Sequence, residues 1–238
     1  MSRPILECQG ISKRFGGFTA LDTVAVEVAE GERLGLIGPN GSGKTTLINC
    51  ISGALPCDGG RILFQGEDVT RIAGYKRTRL GIARSFQIPK PFRSMSVLEN
   101  VAIPLEYAGR DGGDVADEAR EILRTMGMDG LADSNAGSLT QIELRKLELA
   151  RAMAARPALL ISDEAMAGLS GNEVDEILDI LMRVNAGGVA IIMIEHIMRA
   201  VMRFSERVVV LDAGRKIAEG APEAIQSNPD VERAYLGE

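Results

Sequence analysis

An α/β fold with a mainly parallel sheet, an N-terminal antiparallel β portion and an inserted helical subdomain is what three observations predict. A buried strand, Leu34–Ile37, runs through a glycine-rich loop into a helix beginning near Thr46. From Ala158 onward, apolar strand runs and helical patterns alternate, the mark of crossover-connected parallel strands. Between them, residues 88–153 carry helical periodicity and no strand alternation. The chain is therefore expected to be one domain, 1–238, with an α/β core from 1–87 and 154–238 and a helical subdomain at 88–153.

In order, Ile5–Gly10 and Asp22–Val28 read as strands, the second alternating Val24, Val26 and Val28 with polar or small neighbours, and residues 13–18 link them. The helix after the loop is expected to end near Gly53. Arg61–Phe64 is a short strand closed by Gln65-Gly66, and Ile82–Phe86 is another that ends at Gln87. Pro89, Pro91 and Pro104 are expected to break the next segment, and Gly109–Gly113 to form a loop. Helices follow at Val115–Met126 and Thr140–Ala155. Then come strand Ala158–Ser162, helix Asn172–Val184, strand Val189–Ile194 and helix Ile197–Phe204. Strands Arg207–Leu211 and Lys216–Glu219 precede two short terminal helices.

Hydrophobic content of 45% and charged content of 25% are those of an ordinary globular protein. The longest apolar run, Val189–Ile194, is far too short to span a bilayer, and no signal-peptide core follows Met1-Ser2-Arg3-Pro4, so a membrane role is expected to come through a partner. Cys8, Cys50 and Cys57 lack metal-ligand spacing, and a net charge of −6 argues against nucleic acid as a partner. Charge is uneven, however. Residues 71–93 are basic without an acidic residue, whereas 94–133 are predominantly acidic, which is either two solvated faces or a docking surface.

The loop Gly38-Pro39-Asn40-Gly41-Ser42-Gly43-Lys44-Thr45 fits the phosphate-loop template, with Thr46 next in the helix. Its glycines allow successive backbone N–H groups to face a phosphate, and the helix N-terminus adds its positive dipole end. Lys44 is placed to reach the outer phosphates and the Thr45 hydroxyl to ligate Mg2+. Phosphate-loop enzymes hold that metal with a carboxylate ending a second buried strand, and Leu159-Leu160-Ile161-Ser162-Asp163 supplies one. Glu164 follows at once and is placed to polarise an attacking water. His196, the only histidine, lies just past Val189–Ile194, where open parallel sheets put ligand-binding residues. No Asn-Lys-x-Asp base-reading motif is present, which disfavours a GTPase.

The order phosphate loop, Gln87, helical segment, Asp163-Glu164, His196 resembles the nucleotide-binding subunit of ATP-binding-cassette (ABC) transporters over nearly the whole chain. Within that family it is most similar to the ATPase subunits of branched-chain amino-acid importers. The telling stretches are Phe15-Gly16-Gly17-Phe18-Thr19-Ala20-Leu21, Gly81–Gln87, Met95–Val101, and Asn228-Pro229 with Ala234-Tyr235-Leu236-Gly237. The resemblance implies a RecA-like ABC ATPase core that takes ATP and Mg2+. It implies that Phe15 stacks on adenine, that Gln87 senses Mg2+ and the lytic water, and that His196 is the switch histidine. It further implies a second ATPase subunit bound head-to-tail, two membrane-spanning permease subunits, and indirectly an extracytoplasmic solute-binding protein. The location it implies is the cytoplasmic face of the cell (inner) membrane. The competing functions are a non-hydrolysing nucleotide switch and a soluble ABC ATPase acting on nucleic acid or the ribosome; tandem cassettes, zinc cysteines and a basic tail, which would favour the latter, are missing.

One stretch departs from the family. The signature loop Leu-Ser-Gly-Gly-Gln, which meets the partner's ATP, corresponds here to Leu139-Thr140-Gln141-Ile142-Glu143. Both glycine positions are filled, and a carboxylate stands where a triphosphate approaches. Thr140-Gln141-Ile142-Glu143 also fits a capping box, which stabilises a helix start by itself. Ala165 replaces the usual proline after the glutamate, and Ser170 the usual aspartate. These departures lead to the expectation of an asymmetric pair with a different ATPase subunit.

Overall fold

The computed structural model describes residues 4–108 and 114–236; the loop expected at 109–113 lies outside the described residues. Two sheets pack against each other across a shared hydrophobic core. Strands β1 (Pro4–Phe15) and β2 (Phe18–Ala29) form a long antiparallel hairpin that turns at Gly16, and β1 also pairs with β4 (Gly59–Phe64), which folds back on β5 (Glu67–Asp68). Both hairpin strands are longer than the sequence suggests. Residues 13–18, expected as a link, continue the ladder, so Phe15 and Phe18 are register partners at its tip.

The second sheet has the order β10-β9-β3-β8-β7-β6. Its strands are β3 (Arg33–Ile37), β6 (Ile82–Ser85), β7 (Leu159–Asp163), β8 (Ala190–Ile194), β9 (Arg207–Asp212) and β10 (Arg215–Gly220). All neighbours pair in parallel except β10, which runs antiparallel to β9. β7 and β8 are buried along their whole length, and their side chains alternate between two cores. Leu159, Ile161, Ile192 and Ile194 join the core shared with the hairpin and with α1 (Lys44–Ser52). Leu160, Ile191 and Met193 face the other core. That second core is closed by α3 (Val97–Ala108), α4 (Val115–Thr125), α5 (Gln141–Met153) and α6 (Gly171–Ala186).

Helix α3 corrects the expectation that prolines break this segment, for Pro104 lies inside it. The helix starts at a capping box: the Glu99 carboxylate accepts from the Ser96 N–H at 2.7 Å, and Ser96 Oγ accepts from the Glu99 N–H. The fully buried Asn100 then staples the preceding loop to the helix through Phe92, accepting from its N–H at 2.8 Å and donating to its carbonyl. A short helix, α2 (Gly74–Leu80), also forms within the basic stretch. The chain closes with α7 (Met198–Phe204), α8 (Pro222–Gln226) and α9 (Pro229–Leu236), the two short terminal helices expected after β10.

Candidate active site

Four neighbouring strands, β3-β8-β7-β6, deliver every core candidate residue to one edge of the sheet. β3 leads into Gly38–Lys44, β8 into His196, β7 ends in Asp163-Glu164, and Gln87 lies two residues past β6. Chemistry-bearing residues spread over the sequence meet because parallel strands place their C-terminal ends together.

The phosphate loop is shaped by contacts that exclude side chains. Gly38 has φ 147°, and a Cβ there would collide with the Leu211 carbonyl; Gly43 has φ 105°, and its Cβ would lie 2.8 Å from the Ala20 carbonyl. The Gly38 peptide is held at both ends: its N–H donates to the Tyr235 hydroxyl at 2.9 Å, and its carbonyl accepts from Lys44 Nζ at 2.7 Å. Lys44 also donates to the Pro39 carbonyl at 2.9 Å. Burial pulls the Lys44 pKa below the usual lysine value, against the opposing charges of Glu164 and Asp163. Helix α1 begins without a side-chain cap and without an acidic residue in its first turn, which leaves its N-terminal N–H groups without a capping side chain. Thr45 is exposed at that helix start, and Asn40 and Gly41 are exposed in the loop.

Asp163 is 7% exposed and ion-paired with Arg84 at 2.6 Å; Arg84 also donates to Asn49 Oδ1 at 2.6 Å, tying β6 and β7 to α1. Glu164 sits at φ 48°, an uncommon conformation for a side-chain-bearing residue, and its N–H donates to the Ile194 carbonyl at 2.9 Å. This bend turns its carboxylate out of the strand, where it accepts from the Gln87 side-chain amide. Gln87 is exposed while its carbonyl is anchored by Arg145. His196 is exposed and, among the described residues, makes no side-chain hydrogen bond.

Phe15 ends its strand with its ring half exposed, 5.6 Å from the Lys13 ammonium. Leu139–Glu143 stand apart from this edge chemistry, and among the described residues no hydrogen bond joins them to the phosphate loop. Thr140 caps α5, and the Glu143 carboxylate accepts from both the N–H and the hydroxyl of Thr140 at 2.8 Å. Those bonds hold the Glu143 carboxyl below the usual carboxylate range. Gln141 reaches the Gly168 carbonyl at 3.5 Å. Sequence reasoning missed Arg84, Asn49, Arg145, Glu195 and Tyr235 as members of this site. A signal existed for Arg84, a charge inside a strand otherwise apolar; Tyr235 carries no local signal for a loop 197 residues away.

A family model described as ABC transporter matches residues 21–167, and one described as branched-chain amino acid ATP-binding cassette transporter matches residues 215–238. The chain is 37% identical to the high-affinity branched-chain amino acid transport ATP-binding protein BraF of Pseudomonas aeruginosa, the match covering 100% of both proteins. It is 38% identical to a probable branched-chain amino acid transport ATP-binding protein, LivG, of Archaeoglobus fulgidus, over 98% of this chain and 95% of that protein. Among solved structures, the ADP conformation of an ATP-binding cassette from an ABC transporter superposes with a TM-score of 0.91 at 33% identity, covering 100% of both chains.

Proposed function

The chain belongs to the ABC transporter ATP-binding family, and from that premise we propose that it is the ATP-hydrolysing subunit of an importer for branched-chain amino acids or related polar organic solutes. The observation that carries the proposal is the convergence of Lys44, Asp163, Glu164, Gln87 and His196 on adjacent strand ends. The ATP phosphates lie on the loop N–H groups and on the uncapped start of α1, and Lys44 exchanges its loop carbonyls for phosphate oxygens. Phe15 offers its exposed ring to adenine. Thr45, Gln87 and Asp163, the last now paired with Arg84, would hold Mg2+ through a hydroxyl, an amide carbonyl and a carboxylate, a donor chemistry that suits this ion. When bound there, the ion would supply positive charge that offsets the negative charge of the triphosphate. Glu164, turned outward and steadied by Gln87, orients the water that attacks the γ-phosphorus; the bond to the bridging oxygen breaks, and ADP and phosphate leave. His196 closes on the γ-phosphate from β8.

The membrane partner docks, on this reading, in a groove of about 680 Å³ between the core and residues 88–153, the segment that acts as a movable subdomain. Tyr75, Phe86, Pro104 and Tyr107 line it with Arg79 and Arg151, an apolar floor with a basic rim. Among the described residues no helix is long and apolar enough to cross a membrane. By its likeness to transport ATP-binding proteins, two permease subunits supply the path and hold this chain at the cytoplasmic face. The partner ATPase is a different chain. The start of α5 already holds the Glu143 carboxylate where a partner's γ-phosphate has to bind, whereas α1 is bare. Lys44→Ala in the assembled transporter is expected to lower ATP turnover by about a hundredfold or more and to abolish solute uptake, measured as phosphate release and as labelled-solute accumulation in vesicles. Both unchanged would sink the proposal.

A further inference from the structure

We propose that Arg145 and Glu195 are positioning residues that form the joint between the start of α5 and the catalytic loops, so that displacement of the helical segment is felt at Glu164. The idea rests on the ATPase reading above and adds the parts that transmit motion to the site.

The geometry is a three-point grip on consecutive residues just beyond the catalytic glutamate. Glu195, 2% exposed at the end of β8, accepts from the Met166 N–H at 2.9 Å. Arg145, 8% exposed on α5, donates to the Ala167 carbonyl at 3.0 Å. Gln141, at the first turn of the same helix, donates to the Gly168 carbonyl at 3.5 Å. The other guanidinium arm of Arg145 donates to the carbonyl of Gln87, whose side chain in turn holds Glu164. One buried cation therefore grips the backbone on both sides of the catalytic carboxylate. A translation of α5 carries the Gln87 and Ala167 peptides with it, while Glu195 keeps Met166 tied to the sheet.

The link is stiff because its members have few alternatives. A guanidinium buried among apolar groups is unfavourable unless its N–H groups are held. Burial lowers the Arg145 pKa against the opposing charges of Glu195, Glu148 and Glu164. Arg145 Nε and Glu195 Oε2 are buried without hydrogen-bond partners, as are Ser85 Oγ and Ser162 Oγ on the paired ends of β6 and β7.

The test uses the assembled transporter with Arg145→Lys, Arg145→Met and Glu195→Gln, measuring ATP turnover and hydrogen exchange by mass spectrometry. Because the phosphate loop is untouched, KM for ATP should stay within about twofold, while kcat falls by about threefold to thirtyfold for Arg145→Met. Lysine, with one ammonium for two carbonyls, should fall between wild type and methionine. Exchange in 86–88 and 165–169 should rise together, and exchange in 38–46 should not. If Arg145→Met does not fold, the lysine variant decides. A lower thermal midpoint with kcat and loop exchange unchanged would show a merely structural residue and overturn the proposal, as would exchange that rises in α5 alone. Wild-type protein that fails to hydrolyse ATP would instead sink the functional reading itself.

Discussion

Glu195 shows how one carboxyl ties chemistry to stability. Burial pushes its pKa up to about 7, with the charge of Glu164 adding to the effect and the N–H groups of Met166 and His196 and the charge of Arg145 opposing it. Between its ordinary value of 4.5 and about 7, the folded chain holds this proton and the unfolded chain does not. Its stability contribution is therefore full below that window and is lost as pH rises through it. Melting wild type and Glu195→Gln from about pH 5 to about pH 8 should show the wild type losing stability relative to the variant; parallel profiles would refute the assignment. The neighbouring residues differ in how readable they were. Lys44, Asp163 and Glu164 announce themselves through local pattern, since a motif and a strand end are contiguous in sequence. Arg145 and Glu195 do not, because their partners are backbone atoms of loops 22 to 58 residues away.

Helix α1 carries the phosphate loop at its start and is finished by a distant residue at its end. Arg77 of α2, 2% exposed, donates to the Cys50 and Ile51 carbonyls at 2.6 and 2.7 Å and to those of Thr70 and Ile72 at 2.9 and 2.8 Å. Among the described residues no carboxylate forms an ion pair with it, and four carbonyl dipoles hold it instead. Arg77→Met should cost about 3 kcal/mol or more through the carbonyls left unpaired at the end of α1, read as a lower urea midpoint at unchanged slope. A variant within about 0.5 kcal/mol of wild type would show that water replaces the guanidinium. At this scale the sequence was legible where period and turn residues agree, as in β3, α1, β7 and β8. It misled at α3, where three prolines suggested a break and the Ser96–Glu99 capping box went unread, and at α2, where a run of basic residues hid seven residues of helix. In both cases tertiary hydrogen bonds, from Asn100 and Arg77, override a weak local preference.

On the proposed function, the whole molecule supplies one half to each of two ATP sites and a second, different ATPase chain supplies the other halves. On that reading Lys44, Asp163, Glu164 and His196 equip the half at the strand ends, whereas Glu143 caps the α5 start that would form the other half, so the two sites should differ. Replacing Glu164 with Gln here, and the corresponding glutamate in the partner subunit, should reduce ATP turnover unequally, with the larger loss from this chain; equal losses would point to equivalent sites. The overall architecture could be read from alternating elements, but not the order of the sheet, since period and propensity say which segments are strands and nothing about which strands touch. That order has a consequence for biosynthesis. β3 is made early, yet among the described residues its ladder partners are β8 and β9, more than 150 residues further on. While the chain emerges from the ribosome, the strand that aims the phosphate loop stays unpaired and the loop has no fixed shape. The nascent protein therefore cannot hold ATP until most of it has been translated, and a premature stop before β8 yields a chain with an intact motif and no nucleotide site.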